Sequence, residues 1–584
     1  LLLFYFQNYK IIPAVEVKEG KIDLRHPYLT RQIIAYIGNK RRLLPLIQGA
    51  VARCYPGSVR GLSFFDPFSG SGVVSRFARL SGFRVVSNDW EYYSYVINRA
   101  YLGIEKSELK ELYREHGGLE KLLEQLNDLP DPSPEDQYIA RHYSPSTDNS
   151  DMADFRRERM FYTRRNGLAI DKIRHGIEEL YPEEEVRDSP KRIKEKLLLV
   201  ALLIYESATH TNTSGVFKAY HKGFGGHGAD ALPRIMAPIR MQMPVLIDAR
   251  YSAQIYCEDA QMLVDSEKLK HVGWDIVYLD PPYNQHQYGS NYHLLNTISR
   301  WDRPPVDDTV DEKGVLRQKA AIRKDWVSTR SGYCYRNSAQ NAFSRLLGSI
   351  DAEHILLSYS TEGIIPFEEL LELCTRWGEP EIITDQYTKY RGGKQSISRL
   401  NRNVEFVLII HRKKTVCSRS LERIESVLLE RRIGLLMEKK YSLDRLAHNF
   451  SLDWEKMSIT LPGSELTLAT RNFFEIIPPS ELDARSEIER KELTRRLADS
   501  ACRDKGEELE QILRIIDKGS CDSPYFIRKI PETLRKFAHK KYRHVFLLWL
   551  EKVKGIKNTF PELYALIEEK VDAVKALAWK RFEN

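Results

Sequence analysis

Paired cysteines are missing from this 584-residue chain. Its seven cysteines, at 54, 257, 334, 374, 417, 502 and 521, are scattered with no C-x-x-C pair. That pattern excludes a zinc ribbon or dithiol redox motif, predicts no metal site, and fits reduced thiols in a cytoplasm. Long apolar runs are also missing. The strongest, residues 197–205, is too short to cross a bilayer, so no membrane association is expected. Residues 1–6, Leu-Leu-Leu-Phe-Tyr-Phe, lack the basic flank and small-residue cleavage site of a signal peptide and read as a leading strand or a truncated start. No internal repeat at solenoid spacing and no low-complexity tract is present, which excludes a solenoid array. A strong excess of one charge is absent as well. The 89 basic residues stand against 81 acidic ones, net +8, so any polyanion site must come from clustering.

What is present is a soluble globular composition, 42% apolar and 29% charged, in a chain too long for one core. Four parts follow from the patterning. Residues 1–100 and 251–414 alternate short apolar strands with helical stretches, which implies an α/β fold with a mostly parallel sheet covered on both faces. Residues 101–250 form a charged, helical insertion. Residues 415–584 read as a mainly helical domain, with helical periodicity over 420–440, 485–518 and 561–582.

The most informative stretch is Asp-Ile-Val-Tyr-Leu-Asp-Pro-Pro-Tyr, residues 275–283. Its apolar run reads as a buried strand, and the two prolines hold the exit extended. The Asp280 carboxylate and Pro281 carbonyl can then accept both N–H bonds of an exocyclic amine, with Pro282 stiffening the turn and the Tyr283 ring stacking on a flat base. A second motif, Asp66-Pro67-Phe68-Ser69-Gly70-Ser71-Gly72, follows an apolar strand and precedes a helix near Val73. Its glycines permit a tight turn and close approach of a ligand. Taken alone, such a turn occurs in many α/β folds. About twenty residues on, a strand ends in Asn88-Asp89, where an acid can hold ribose hydroxyls. Upstream, Tyr36 and Lys40 bracket a glycine turn. Lys40 can pair with a ligand carboxylate or be an ordinary surface lysine. Asp259 ends another strand, where it can accept from an adenine amine, cap the following helix, or do both.

Together these motifs resemble, in content and in order, the Dam-like, alpha-class N6-adenine-specific DNA methyltransferases. The resemblance covers residues 25 to 413. It implies a Rossmann-like S-adenosylmethionine-dependent methyltransferase sheet interrupted by a helical target-recognition insertion. It also implies that Tyr36, Lys40, Asp66, Phe68, Gly70, Gly72, Asp89 and Asp259 bind S-adenosyl-L-methionine, and that Asp280, Pro281, Pro282 and Tyr283 hold the flipped adenine. Residues 357–363 match the strand and turn after the catalytic one, and Asn291-Tyr292-His293 falls in the variable loop after the tetrapeptide. The expected partner is double-stranded DNA, in a bacterial or phage-infected cytoplasm, with a cognate restriction endonuclease or defence-system subunit. An RNA adenine methyltransferase and a non-catalytic DNA-specificity subunit are the alternative readings.

Within the insertion, Arg164 and Arg165 follow a basic run at 156–159, and 211–226 interleaves glycines and aromatics with Lys218, His221 and Lys222. The latter stretch resembles the family's N-x-x-G-x-F-N segment in position. Both suit phosphate contact; both are equally readable as solvated surface. A last basic and aromatic run, 535–544, reads first as a helix face in solvent and second as a DNA-backbone grip.

Overall fold

A computed structural model describes residues 22–147, 149, 152–226, 230–384, 405–479 and 485–583. The opening hexapeptide lies outside them. Two compact units divide the chain between Val416 and Cys417.

The first unit is built on strands that are apolar almost throughout, as burial on both faces requires. They are β1 (Ser63–Asp66), β2 (Arg84–Asn88), β3 (Gln254–Tyr256), β4 (Trp274–Leu279), β5 (Ala352–Ser360), β6 (Glu379–Thr384) and β7 (Glu405–His411). They form one sheet in the order β3-β2-β1-β4-β5-β7-β6. All neighbours are parallel except β7, which runs antiparallel to both β5 and β6. One face packs on helices Leu44–Cys54 and Val73–Ser81 through Phe64, Val85, Ile276, Tyr278 and Leu356. The second large core joins helix Tyr92–Gly103 to helices Arg164–Leu180, Pro190–Thr209 and His293–Arg300. The insertion therefore shares a core with helices that flank the glycine-turn and Asp-Pro-Pro-Tyr motifs.

The order reverses direction between β1 and β4, whose pairing brings Phe65 opposite Val277. In an open α/β sheet the crevice at such a switch point, outside the carboxyl ends of the strands, is where ligands bind. Asp66 closes β1 and Asp280 directly follows β4, so both carboxylates emerge there.

The structure departs from the sequence reading in several places. Asn291, Tyr292 and His293 are buried at the junction of helices Tyr288–Asn291 and His293–Arg300, not in a loop; Phe217 N donates to Asn291 O at 2.7 Å and holds them inward. Residues 302–338, between β4 and β5, form an irregular excursion that the sequence did not signal. Buried Arg323 pins it, bridging Asp302 (2.6 Å) and Asp325 (2.7 Å).

The second unit, 417–583, holds its helices around two cores. It also contains an antiparallel sheet of β8 (Ser451–Asp453), β9 (Ser458–Thr460), β10 (Thr467–Arg471) and β11 (Glu475–Ile476), a feature helical periodicity does not reveal. The stretch 485–518 is two helices, Glu487–Ser500 and Lys505–Asp517. Ala501 turns extended between them and Asp504 caps the second, accepting from Gly506 N and Glu507 N at 2.8 and 2.9 Å.

Candidate active site

The turn after β1 is fixed from several sides. Ser69 N donates to Asn88 O at 2.9 Å, Gly72 N to Ser69 O at 2.7 Å and Ser94 Oγ to Gly70 O at 2.6 Å. Asp89 receives Gly70 N on one oxygen (2.7 Å) and Glu91 N on the other (2.9 Å), so the acid at the end of β2 locks the glycine turn beside it. Both glycines need their freedom: φ is +51° at Gly70 and +74° at Gly72, and a Cβ on Gly72 would lie 2.4 Å from Asn98 Oδ1. Gly72→Ala is therefore expected to destabilise the protein by about 2–4 kcal/mol, combining left-handed backbone strain with overpacking. Gly49→Ala, in helix Leu44–Cys54 with nothing within 4 Å of the new methyl, should be neutral or stabilising. Melting temperatures of the two variants compare them, and equal values would rule out this account of the turn.

Asp66 is 1% exposed. One oxygen accepts from Ser75 Oγ at 2.7 Å; the other, Oδ1, is buried with no partner. Burial, reinforced by Asp280 and Asp89, pushes its pKa up to about 7. Asp280 lies beside it at the switch point. Lys40 Nζ stands 2.9 Å from Asp280 Oδ1, 3.0 Å from Gly38 O and 3.4 Å from the Tyr283 hydroxyl. Burial raises the Asp280 pKa to about 6 even though Lys40 pulls it down. Burial works against the Lys40 ammonium, and Asp280 overrides it, holding its pKa well above the ordinary lysine value. Tyr36 is stacked on Tyr288 and Tyr292 at centroid distances of 5.2 and 4.9 Å, which sets the wall next to this pair.

A single cavity of about 860 Å³, counted with its open mouth, joins these groups. Of the residues singled out in the sequence, Tyr36, Lys40, Asp66, Phe68, Gly70, Asp89, Asp259, Asp280 and Pro282 line it. Gly72, Pro281 and Tyr283 do not: Gly72 shapes the turn behind the wall, and the Tyr283 ring packs against Tyr359 at 5.2 Å. Asp259 caps helix Ala260–Asp265, accepting from Gln261 N and Met262 N at 3.0 Å, while still facing the cavity. Six carboxylates line the space (Asp66, Asp89, Glu91, Glu258, Asp259 and Asp280) and one cation, Lys40.

The family model described as D12 class N6 adenine-specific DNA methyltransferase matches residues 36–369, more than half of the chain and every residue of this cavity. The chain belongs to that family. Among curated relatives, the Type II methyltransferase M.NlaIII of Neisseria lactamica is 30% identical over 368 residues, covering 63% of this chain and 94% of the relative. Modification methylase LlaI of Lactococcus lactis subsp. lactis is 29% identical over 391 residues, 66% of this chain and 56% of the relative. The Type II methyltransferase M.FokI of Planomicrobium okeanokoites is 30% identical over 380 residues, 64% and 52%. The chain thus matches about half the length of the last two. No solved structure matches it.

The D12 methyltransferase has cavity residues that the motifs did not point to. Glu91 is 6% exposed, accepts from Asn296 Nδ2 (2.6 Å) and Thr329 Oγ1 (3.1 Å), and is pushed by burial up to about 7. Its place two residues beyond Asp89 was the available signal. Thr329, Ser331 and Tyr333 come from the 302–338 excursion, where no periodicity marks them. The Tyr333 ring meets Phe68 edge-on at 5.4 Å. Among the described residues no helix is long and apolar enough to cross a membrane.

The candidate DNA contacts separate into two kinds. Arg164 donates to Ala140 O at 2.7 Å and to Gln137, and Arg165 to Met236 O at 2.5 Å, so both guanidiniums are engaged inside the insertion. Lys218 and Lys222 are exposed on a segment that is firmly held. Its hub, buried Asn212, donates to Met160 O at 2.9 Å and His221 O at 3.2 Å, and accepts from Gly225 N at 3.2 Å. His221 is half-buried at this hub, and the Lys222 ammonium lies 5.2 Å from the Phe155 ring centre.

Proposed function

We propose that this methyltransferase draws its methyl group from S-adenosyl-L-methionine bound in the cavity and transfers it to the N6 amine of an adenine turned out of a specific double-stranded DNA sequence. The observation that carries the cofactor reading is the acidity of the cavity, whose six lining carboxyl groups outnumber its one lysine, itself already paired with Asp280. Such a space suits a cation and repels the pyrophosphate of a dinucleotide. When bound, the cofactor supplies a methyl group already activated on a positively charged sulfur. The residues present fit it. The unpartnered Asp66 Oδ1 is an acceptor for an ammonium group, Asp89 and Asp259 offer acceptors at the ends of β2 and β3, and the Phe68–Tyr333 wall suits a flat purine.

The protein's part in transfer is positioning and fixed electrostatics. Adenine N6 is a weak nucleophile because its lone pair is spread into the ring. The Asp280 carboxylate and the Pro281 carbonyl, as two acceptors, favour a more tetrahedral amine while the new bond forms. Tyr283 offers a stacking face, regaining part of the few kcal/mol that unstacking the base costs. Lys40 holds Asp280 ionised and oriented. Lys218, His221 and Lys222 are the candidates for phosphate contact, with Arg164 and Arg165 bracing the insertion behind them. The relatives' names, modification methylase and Type II methyltransferase, support a restriction–modification setting with a cognate endonuclease as partner.

The test is to incubate the protein with tritiated S-adenosylmethionine and, separately, unmethylated genomic DNA or total RNA, then identify the labelled nucleoside. N6-methyldeoxyadenosine is the expected product. Label in RNA alone, or cofactor bound without label in either nucleic acid, would overturn the assignment of substrate or of catalysis.

A further inference from the structure

We propose that the 417–583 unit carries a second, sequence-independent grip on duplex DNA, formed where the turn 535–543 meets the end of the C-terminal helix. This rests on the DNA methyltransferase reading of the catalytic unit. Between 523 and 550 the chain has one acid, Glu532, against seven lysines and arginines. Arg535, Lys540, Lys541 and Arg543 are all exposed, and among the described residues none of them forms an ion pair. What sets the segment apart is its local charge balance; some exposed cations elsewhere in the unit are met by acids, as Lys491 by Glu487 at 2.5 Å and Arg495 by Glu492 at 2.6 Å.

A distant segment adds to the cluster. Arg581, on helix Glu568–Glu583, donates to Ala538 O at 2.8 Å, and the Arg543 guanidinium lies 5.8 Å from the Phe582 ring centre. Burial and the neighbouring charge of Arg535 both lower the Arg581 pKa, which fits like charges gathered without compensation. Folding opposes such crowding, and a polyanion relieves it. Trp579 is 37% exposed beside Phe546 and gives the cluster an aromatic rim. Cations spread over two segments of an open surface suit an extended phosphate backbone, and we assign the contact to phosphates outside the recognition sequence. Held on the same chain, such a grip raises the effective concentration of DNA at the catalytic unit.

The experiment uses the full chain and fluorescein-labelled duplexes, with affinity read by anisotropy across a potassium chloride series. Arg535→Gln/Lys540→Gln/Lys541→Gln leaves the internally engaged Arg543 and Arg581 in place. It is expected to weaken binding at least tenfold at low salt and to make the slope of log K against log salt shallower by about 2 to 3, the loss of up to three phosphate contacts. The charge-retaining variant Arg535→Lys/Lys540→Arg/Lys541→Arg should bind like wild type. Unchanged affinity and slope in the glutamine variant, while wild type binds and methylates DNA, would overturn the inference. So would equal losses in both variants, which would indicate altered folding. Wild-type protein that methylates no DNA would overturn the catalytic reading, and this inference with it.

Discussion

Asp280→Ala is expected to lower kcat by about a hundred- to a thousandfold or more while DNA affinity is unchanged. The size follows from removing one of two fixed acceptors aimed at the group whose charge changes during transfer, a loss comparable to deleting an oxyanion-hole donor. The cations proposed to contact phosphates lie outside this cavity, and the bulk of the affinity is expected to come from them. The substitution also leaves the nearly buried Lys40 ammonium without its carboxylate 2.9 Å away, which destabilises the site in its own right. Asp280→Asn keeps the side chain's shape and one acceptor oxygen but exchanges the other for an N–H donor and removes the charge that Lys40 pairs with, so it divides the loss of charge from the loss of the whole side chain. Single-turnover methylation and equilibrium DNA binding, measured on both variants, check the split. Near-normal turnover by the alanine variant would remove Asp280 from the reaction.

Lys40→Met should shift the pH dependence of kcat more than it shifts cofactor affinity. Asp280 titrates at about 6 with Lys40 beside it, and burial alone would hold it higher. Removing the cation raises that value by about one unit or more, the usual effect of an opposite charge at this distance. The acceptor is useful only as the carboxylate, whose fraction grows as pH rises through the pKa. The acid limb of the kcat profile therefore moves to higher pH, with the deficit largest near pH 6 and partly recovered near pH 9. Chain order alone suggests a different outcome, loss of cofactor binding first, because Lys40 there reads as a partner for the cofactor's carboxylate. Equal loss of kcat at every pH, with cofactor affinity reduced in step, would favour that older role.

The contrast shows what the sequence made legible. The β4 strand and its Asp-Pro-Pro-Tyr exit were readable because an apolar run and two adjacent prolines act locally. Gly70, Gly72 and Asp89 were readable because a turn needing positive φ and a strand-end acid leave marks at fixed spacing. Lys40 was readable as a site residue, but its partner lies 240 positions away, and only the sheet order brings them together. Arg164 and Arg165 look like phosphate contacts in a string of letters. Their engagement by Ala140 O and Met236 O depends on how the insertion folds back on itself. The excursion that supplies Tyr333 has no period to detect, and the strands β8 to β11 are two to five residues long, too short for alternation to register.

The imbalance of charge in the cavity bears on turnover. The donor proposed above carries its positive charge on sulfur before transfer, the state that a cavity with more carboxyl groups than cations attracts most strongly. Once the methyl group has left, the same walls face a molecule carrying one positive charge fewer, and their Coulombic hold relaxes without any movement of the protein. On this view the proposed site separates fresh cofactor from spent product by valence, and discharge of the product is built into the chemistry that makes it.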